Sequence, residues 1–326
     1  MNHNNSQLTH NEVFSKRGRA DFFSTNYKIA LLNANKNSPI RDRYRYSTFC
    51  NEKLTKDGTK ITAKYCNQRW CVTCNRNRTG ILINSYLPEV QDMKDPHFVT
   101  LTLKNCKGEE LRGRVKLMIA KWGKIQNKLR RKKECKGYRK LEVTYNERFN
   151  DYHPHFHAII NGKENAEFII NEWIKEIKKE GIEIDRQWQD CREADVKSMK
   201  ELFKYTTKCL PKKAKGEKWA DVFSNEKKVY KFLQAQDQIF QALDRVRCFQ
   251  PFGFKPIKET ADDGVLELQS QEIDSNLPDG IYIRDGHGNW EHIRDDVKLH
   301  NRNLSDNCRA LVTAMGGRFI RNLPKS

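Results

Sequence analysis

Between residues 98 and 188 the apolar positions change period in a definite order. Phe98-Val99-Thr100-Leu101-Thr102-Leu103 alternates and is β-branched, which predicts a strand with Thr100 and Thr102 on one face. Val115, Met118, Ile119, Trp122, Ile125 and Leu129 then recur at helical spacing with Lys and Arg between them, a long amphipathic helix with a basic outer face. Leu141-Glu142-Val143-Thr144-Tyr145 alternates again, and Asp151 to Ile160 follows after a short turn as a further strand. Phe168, Ile170, Trp173, Ile174 and Ile177 mark a second helix that stops at Gly181, and Ile182 through Trp188 reads as a fourth strand. Strand, helix, strand, strand, helix, strand is the ferredoxin-like split βαβ order of an α+β domain. It predicts an antiparallel sheet with both helices on one face and the other face open.

The third strand carries the chemistry. In Asp151-Tyr152-His153-Pro154-His155-Phe156-His157-Ala158-Ile159-Ile160, side chains alternate, so His153, His155 and His157 share a face opposite Phe156, Ala158 and Ile160. Histidines at i and i+2 lie about 6–7 Å apart along a strand, close enough for their imidazoles to converge on one metal ion. His153 and His157, about 13 Å apart by the same rise, are too distant. The metal pair is therefore His155 with one neighbour. A four-residue loop Glu147 to Asn150 pairs Asn146 with Asp151 and sets Glu142 opposite His155. An odd loop would turn Glu142 to the helix side, against the apolar pattern. Glu142 is the expected third ligand.

A later helix begins at Asp195, a suitable N-cap, and buries Met199, Leu202, Phe203, Thr206 and Leu210. Glu201, Tyr205 and Lys208 line up on its other side, so the tyrosine ring has a carboxylate one turn away and an ammonium the other way.

Charge and cysteine content narrow the setting. The 326-residue chain has a formal net charge of +19, which argues for a polyanionic partner, nucleic acid first. Residues 111 to 140 hold thirteen Lys/Arg and one acid, whereas 259 to 279 hold seven acids and no base. Lys116, Lys121, Lys124, Lys128 and Arg131, lying between the apolar positions of the basic helix, are expected to contact DNA. No run reaches the ~18 apolar residues of a membrane span, and the first residues do not open a secretory signal. Ten cysteines without such a signal suggest thiols and metal ligands in a reducing cytoplasm. Cys50, Cys66, Cys71 and Cys74 make a four-thiolate set for a structural zinc ion, with Arg69, Arg76 and Arg78 beside it as phosphate contacts. The expected organisation is a mobile or loosely docked basic arm (1–45), a Cys-rich zinc module (46–80), a central domain (81–257), an acidic linker (258–279) and a C-terminal accessory element (280–326).

Phe98-Val99-Thr100-Leu101-Thr102, His153-Pro154-His155-Phe156-His157 and Tyr205-Thr206-Thr207-Lys208, in this order, resemble the motifs of the HUH (His-hydrophobic-His) endonucleases. The likeness is strongest to the single-tyrosine initiators of plasmid rolling-circle replication, and it covers roughly residues 50–255. It implies that His155 and His157 bind a catalytic Mg²⁺ or Mn²⁺ and that Tyr205 attacks the scissile phosphate and becomes linked to the DNA 5′ end. It further implies origin duplex and single strand as substrates, with host helicase and polymerase as partners. Glu201 could activate water or a second attack, and Lys208 would favour the tyrosine anion. Rival readings are an HUH relaxase or transposase, a non-haem iron oxygenase using two histidines and a carboxylate, and a non-enzymatic zinc-dependent nucleic-acid binder.

Overall fold

The hairpin formed by β4 (Gly137–Asn146) and β5 (Asp151–Asn161) is the centre of the second of two compact units into which a computed structural model divides the chain. The structure describes residues 4–58, 60–130, 135–203, 211, 215–216, 218–254, 278–284, 290–293 and 298–299. The first unit takes its described residues from 1–77, 209–234 and 259–326, the second from 78–208 and 235–258. Among the described residues no helix is long and apolar enough to cross a membrane.

In the first unit, α1 (Asn4–Ala34) and α2 (Arg41–Ser47) precede the strands β1 (Lys53–Asp57) and β2 (Lys60–Ala63). Sequence predicts a mobile or loosely docked arm here, but Tyr27, Ala30, Leu31 and Tyr44 are fully buried. The face this helix buries also carries Asp21, Ser24, Asn26 and Lys28, so no apolar stripe marks it in the sequence. The strands β8 (Gly280–Arg284), β9 (Trp290–His292) and β10 (Lys298–Leu299) join the N-terminal pair in one antiparallel sheet, ordered β10-β9-β8-β1-β2. Tyr282 of β8 is fully buried in the cluster of Leu54, Ala63, Tyr65 and the cysteines.

The second unit begins within α3 (Val72–Gln91) and continues through β3 (Pro96–Thr102), α4 (Gly108–Leu129), the hairpin and α5 (Lys163–Lys178). After these come β6 (Asp190–Glu193) and α6 (Val196–Phe203). The helix α7 (Trp219–Ser224) and α8 (Glu226–Ala242) as far as residue 234 belong to the first unit, and the rest of α8 leads, in the second, to β7 (Phe249–Phe252). Its antiparallel sheet has the order β6-β3-β5-β4-β7. The fourth strand is therefore Asp190–Glu193, not Ile182–Trp188. Asp185 instead accepts the Gln187 N–H and starts a 3₁₀ turn, which breaks the alternation there.

One face of this sheet packs its apolar side chains, Val99, Leu101, Leu141, Val143, Phe156, Ala158 and Ile160, against Val115, Met118, Trp122 and Ile125 of α4 and Ile170, Trp173 and Ile177 of α5. The other face is partly covered, where an open one is expected. Phe98, Tyr138 and Ile159 meet Tyr86 and Val90 of α3 and Leu202 and Phe203 of α6. Gly137 permits a close approach at the β7 edge: a Cβ there would lie 2.4 Å from the Ile159 carbonyl oxygen and 2.6 Å from the Phe252 ring.

The basic helix α4 is also spoken for in part. Lys121, only 3% exposed, pairs with Glu180, and Lys128 pairs with Glu172 and with Glu176 at 2.9 Å. Lys124 lies 3.8 Å from Glu176, while Lys116 is exposed and Arg131 falls outside the described residues. Spacing alone could not show that α5 and the turn after it present a row of carboxylates to these lysines. Hydrogen bonds from Lys179 and Lys128 hold the buried Glu176 carboxyl down at about 2, against an ordinary 4.5. A depressed carboxyl stabilises the fold above its unfolded pKa and loses that contribution as pH falls toward the folded one. Lys128→Met should therefore lower unfolding free energy by about 1–3 kcal/mol at pH 7, and the gap to wild type should close between about pH 4.5 and 2, measured by urea titration at each pH.

Candidate metal and nucleic-acid site

The hairpin pairs Asn146 with Asp151 and Glu142 with His155, the register the loop length predicts. Strand β3 lies on the other side of β5 and sets Thr100 opposite His157 and Thr102 opposite His155. Three neighbouring strands thus bring polar side chains to one patch of the partly covered face.

Glu142, His155 and His157 each aim a ligand atom at a common centre, all such atoms lying within 4.8 Å of one another. The Nε2 atoms of His155 and His157 are 3.1 Å apart. His155 Nδ1 is 3.0 Å from the His153 carbonyl oxygen, so Nδ1–H donates there and Nε2 keeps its lone pair. His157 Nδ1 is held by the Thr100 hydroxyl at 3.2 Å, which likewise turns Nε2 to the centre. Burial, then the neighbouring His155, pushes the His157 pKa down to about 3, so the ring is neutral and able to ligate. His155 and Glu142 are only 7% and 6% exposed, so an ion bound there would be largely shielded from water.

His153 does not join them. Its Nε2 sits 2.9 Å from Thr102 Oγ1 and its Nδ1 2.8 Å from Asn105 Oδ1, so both ring nitrogens are engaged elsewhere. Of the two histidine pairs the strand alone leaves open, the described geometry brings together His155 and His157.

Lys140 is the residue sequence reasoning missed. It lies two positions before Glu142 on the same face, a signal the strand alternation carries. Buried, its Nζ approaches Glu142 Oε2 at 3.1 Å and donates to the Glu201 carbonyl oxygen at 3.1 Å. The C-terminal turn of α6 is thereby tied to the carboxylate strand. The helix starts as expected, with Asp195 Oδ1 accepting the Ser198 N–H at 2.7 Å. Glu201 is half-buried, while Tyr205 and Lys208 lie outside the described residues.

In the first unit Cys50, Cys66, Cys71 and Cys74 bring their sulfurs within 4.8 Å of one another, with separations of 3.5 Å for Cys50–Cys74 and 3.7 Å for Cys66–Cys74 and Cys50–Cys71. Four sulfurs at about 2.3 Å from a tetrahedral zinc ion lie about 3.8 Å apart, so the set fits that ion. None is in a disulfide. The Cys66 backbone N–H donates to Cys50 Sγ at 3.3 Å. Of the arginines expected beside the cluster, Arg76 is exposed and Arg69 and Arg78 are half-buried.

The model of a family described as "Replication protein" matches residues 59–243, more than half of the chain. The chain is also similar to a protein named "Protein rep" from Staphylococcus aureus, 29% identical over 127 residues, covering 37% of this chain and 56% of that one. A "Protein rep" from Streptococcus pneumoniae serotype 2 is 26% identical over 156 residues, or 44% and 47% of the two chains. A third, from a Bacillus species, is 29% identical over 126 residues, or 37% and 41%. The matches thus span about half the length of these relatives. No solved structure matches.

If the described centre holds an ion, its affinity depends on the groups that aim the ligands. Replacing Glu142, His155 or His157 with Ala should abolish Mn²⁺ binding measured by calorimetry, and Thr100→Val should weaken it about 10–100-fold. His153→Ala should change it little; a loss equal to that of His157→Ala would reassign the ligand pair.

Proposed function

The chain belongs to the Rep_1 replication protein family, and we propose that it initiates plasmid rolling-circle replication by nicking one origin strand through a covalent phosphotyrosine link. The observation that carries this reading is the convergence of Glu142, His155 and His157 on one sheet face, beside the end of the helix that leads to Tyr205. The strand order β6-β3-β5-β4, with α4 and α5 on one face, supports the ferredoxin-like reading of this unit.

Two neutral imidazoles and a carboxylate suit Mg²⁺ or Mn²⁺, and such an ion would supply Lewis-acid polarisation of the scissile phosphate. The chain's own residues do the rest. The Tyr205 hydroxyl oxygen attacks phosphorus, a Tyr–O–P bond forms, the P–O3′ bond breaks, and O3′ leaves as a hydroxyl carrying the proton that tyrosine gives up. One phosphodiester is exchanged for another, so the link can be reversed when a later 3′-OH attacks it. Lys208 favours the tyrosine anion, and Glu201 takes the proton of water or of a second attacking hydroxyl to end the cycle. Lys140 fixes the Glu142 carboxylate.

The substrates are origin duplex and the single strand at the nick, and the freed 3′-OH gives host polymerase, aided by host helicase, its starting point. Lys116 and Arg76 are exposed and suit phosphate contact, whereas Lys121 and Lys128 serve α5 first. The cysteine set holds a structural zinc ion. Family membership weighs against the oxygenase and against a purely non-enzymatic binder, and it favours a replication initiator over a relaxase or transposase.

Incubation with a labelled origin single strand and Mn²⁺ should give a protein–DNA adduct that survives denaturing gels. Tyr205→Phe should bind the strand with near wild-type affinity and form no adduct. An undiminished adduct from that variant would remove Tyr205 from its role.

A further inference from the structure

Helix α1 closes one side of the cysteine set with three wholly buried polar residues, Asp21, Ser24 and Lys28. Their spacing of three and four places them on a single helix face. Ser24 Oγ donates to Cys71 Sγ at 3.4 Å and accepts the Val72 N–H at 3.0 Å, which fixes that face against the knuckle. Asp21 accepts from Thr73 Oγ1 at 3.2 Å and is ion-paired with Arg284, which also donates to the carbonyls of Cys50 and Thr48 at 3.2 and 3.0 Å.

Lys28 stands apart. Its side chain is 0% exposed, and among the described residues its Nζ has no hydrogen-bond partner. An ammonium group in that state is strongly unfavourable unless an opposite charge faces it. Burial works against its charge, but Cys71, Cys50, Cys66 and Asp21, in that order, favour it and prevail. Asp21 is already neutralised by Arg284. Four neutral thiols would therefore leave one buried positive charge uncompensated. Four thiolates around a divalent ion carry a net charge of −2, which Lys28 halves.

We propose that Lys28 is the counter-charge of the metal centre, the buried cation that makes an anionic tetrathiolate stable at this position. This rests on the zinc reading given above and adds to it a residue outside the cysteine motif. It is a positioning role: Lys28 ligates nothing and acts on the sulfurs by charge.

The test uses the full chain and zinc alone as probe, with affinity measured by competition against a chromophoric chelator. Lys28→Met keeps an unbranched side chain one atom shorter and removes the charge; its zinc dissociation constant should rise about 10–100-fold. Lys28→Arg keeps the charge and should recover most of that loss. The cobalt-loaded wild type and Lys28→Arg should share a thiolate-to-metal absorption band, and Lys28→Met should need proportionately more cobalt to reach it. If Met and Arg weaken binding equally, the cause is packing and the counter-charge role is overturned. Unchanged affinity in Lys28→Met also overturns it, while leaving the zinc reading intact. A wild-type protein that purifies without zinc and binds none overturns the zinc reading itself.

Discussion

The pairing of β4 with β5 is the constraint on which the second unit depends. A single step in register would turn Glu142 from the His155 side to the core of α4 and α5, and bring Leu141 or Val143 into its place. Leu141, Val143, Phe156 and Ala158 on one face and Glu142, His155 and His157 on the other are consistent with only one of these alternatives. The four-residue loop, the buried apolar face and the polar face therefore specify the same alignment. Because β3 pairs along the far side of β5, the same register also delivers Thr100 to His157. Metal-ligating geometry here is a by-product of backbone hydrogen bonds made along the full length of the strands, which hold it far more rigidly than a loop would.

Much of this unit was legible because its elements obey simple periods. The hairpin register, the exclusion of a His153–His157 pair, and the Asp195 cap all follow from alternation, rise and capping chemistry, whereas the choice between the two neighbouring histidine pairs does not. Failures occurred where polar residues are buried. Helix α1 hides its packing face behind Asp21, Ser24 and Lys28, and α4 hides an interhelical ion cluster behind lysines that look solvated. Both are pairings between segments distant in sequence, and a local pattern has no access to the partner. The fourth strand failed for a different reason. Ile182 and Ile184 alternate as a strand should, but the Asp185 side chain captures the following N–H and turns the chain first.

The two candidate metal centres illustrate different uses of burial. Around Glu142, His155 and His157 the proposed ligands are two imidazoles and one carboxylate, which would leave a bound divalent ion with net positive charge. Around the cysteines the proposed thiolates would more than cancel the ion, and the buried Lys28 ammonium would moderate the excess. The first arrangement suits chemistry, the second suits architecture.

The sheet shared by β1, β2 and β8–β10 has a consequence for any shortened version of the protein. β1 bonds to β2 along one edge and to β8 along the other, through Lys53 to Lys56. Removing residues from 280 onward would bare that second edge and take away Tyr282, which fills the space beside Leu54 and the cysteines. An exposed row of strand amides and carbonyls invites another chain to pair with it. The distal strands thus cover that edge as well as bringing Arg284 and Tyr282 to the surroundings of the cysteines.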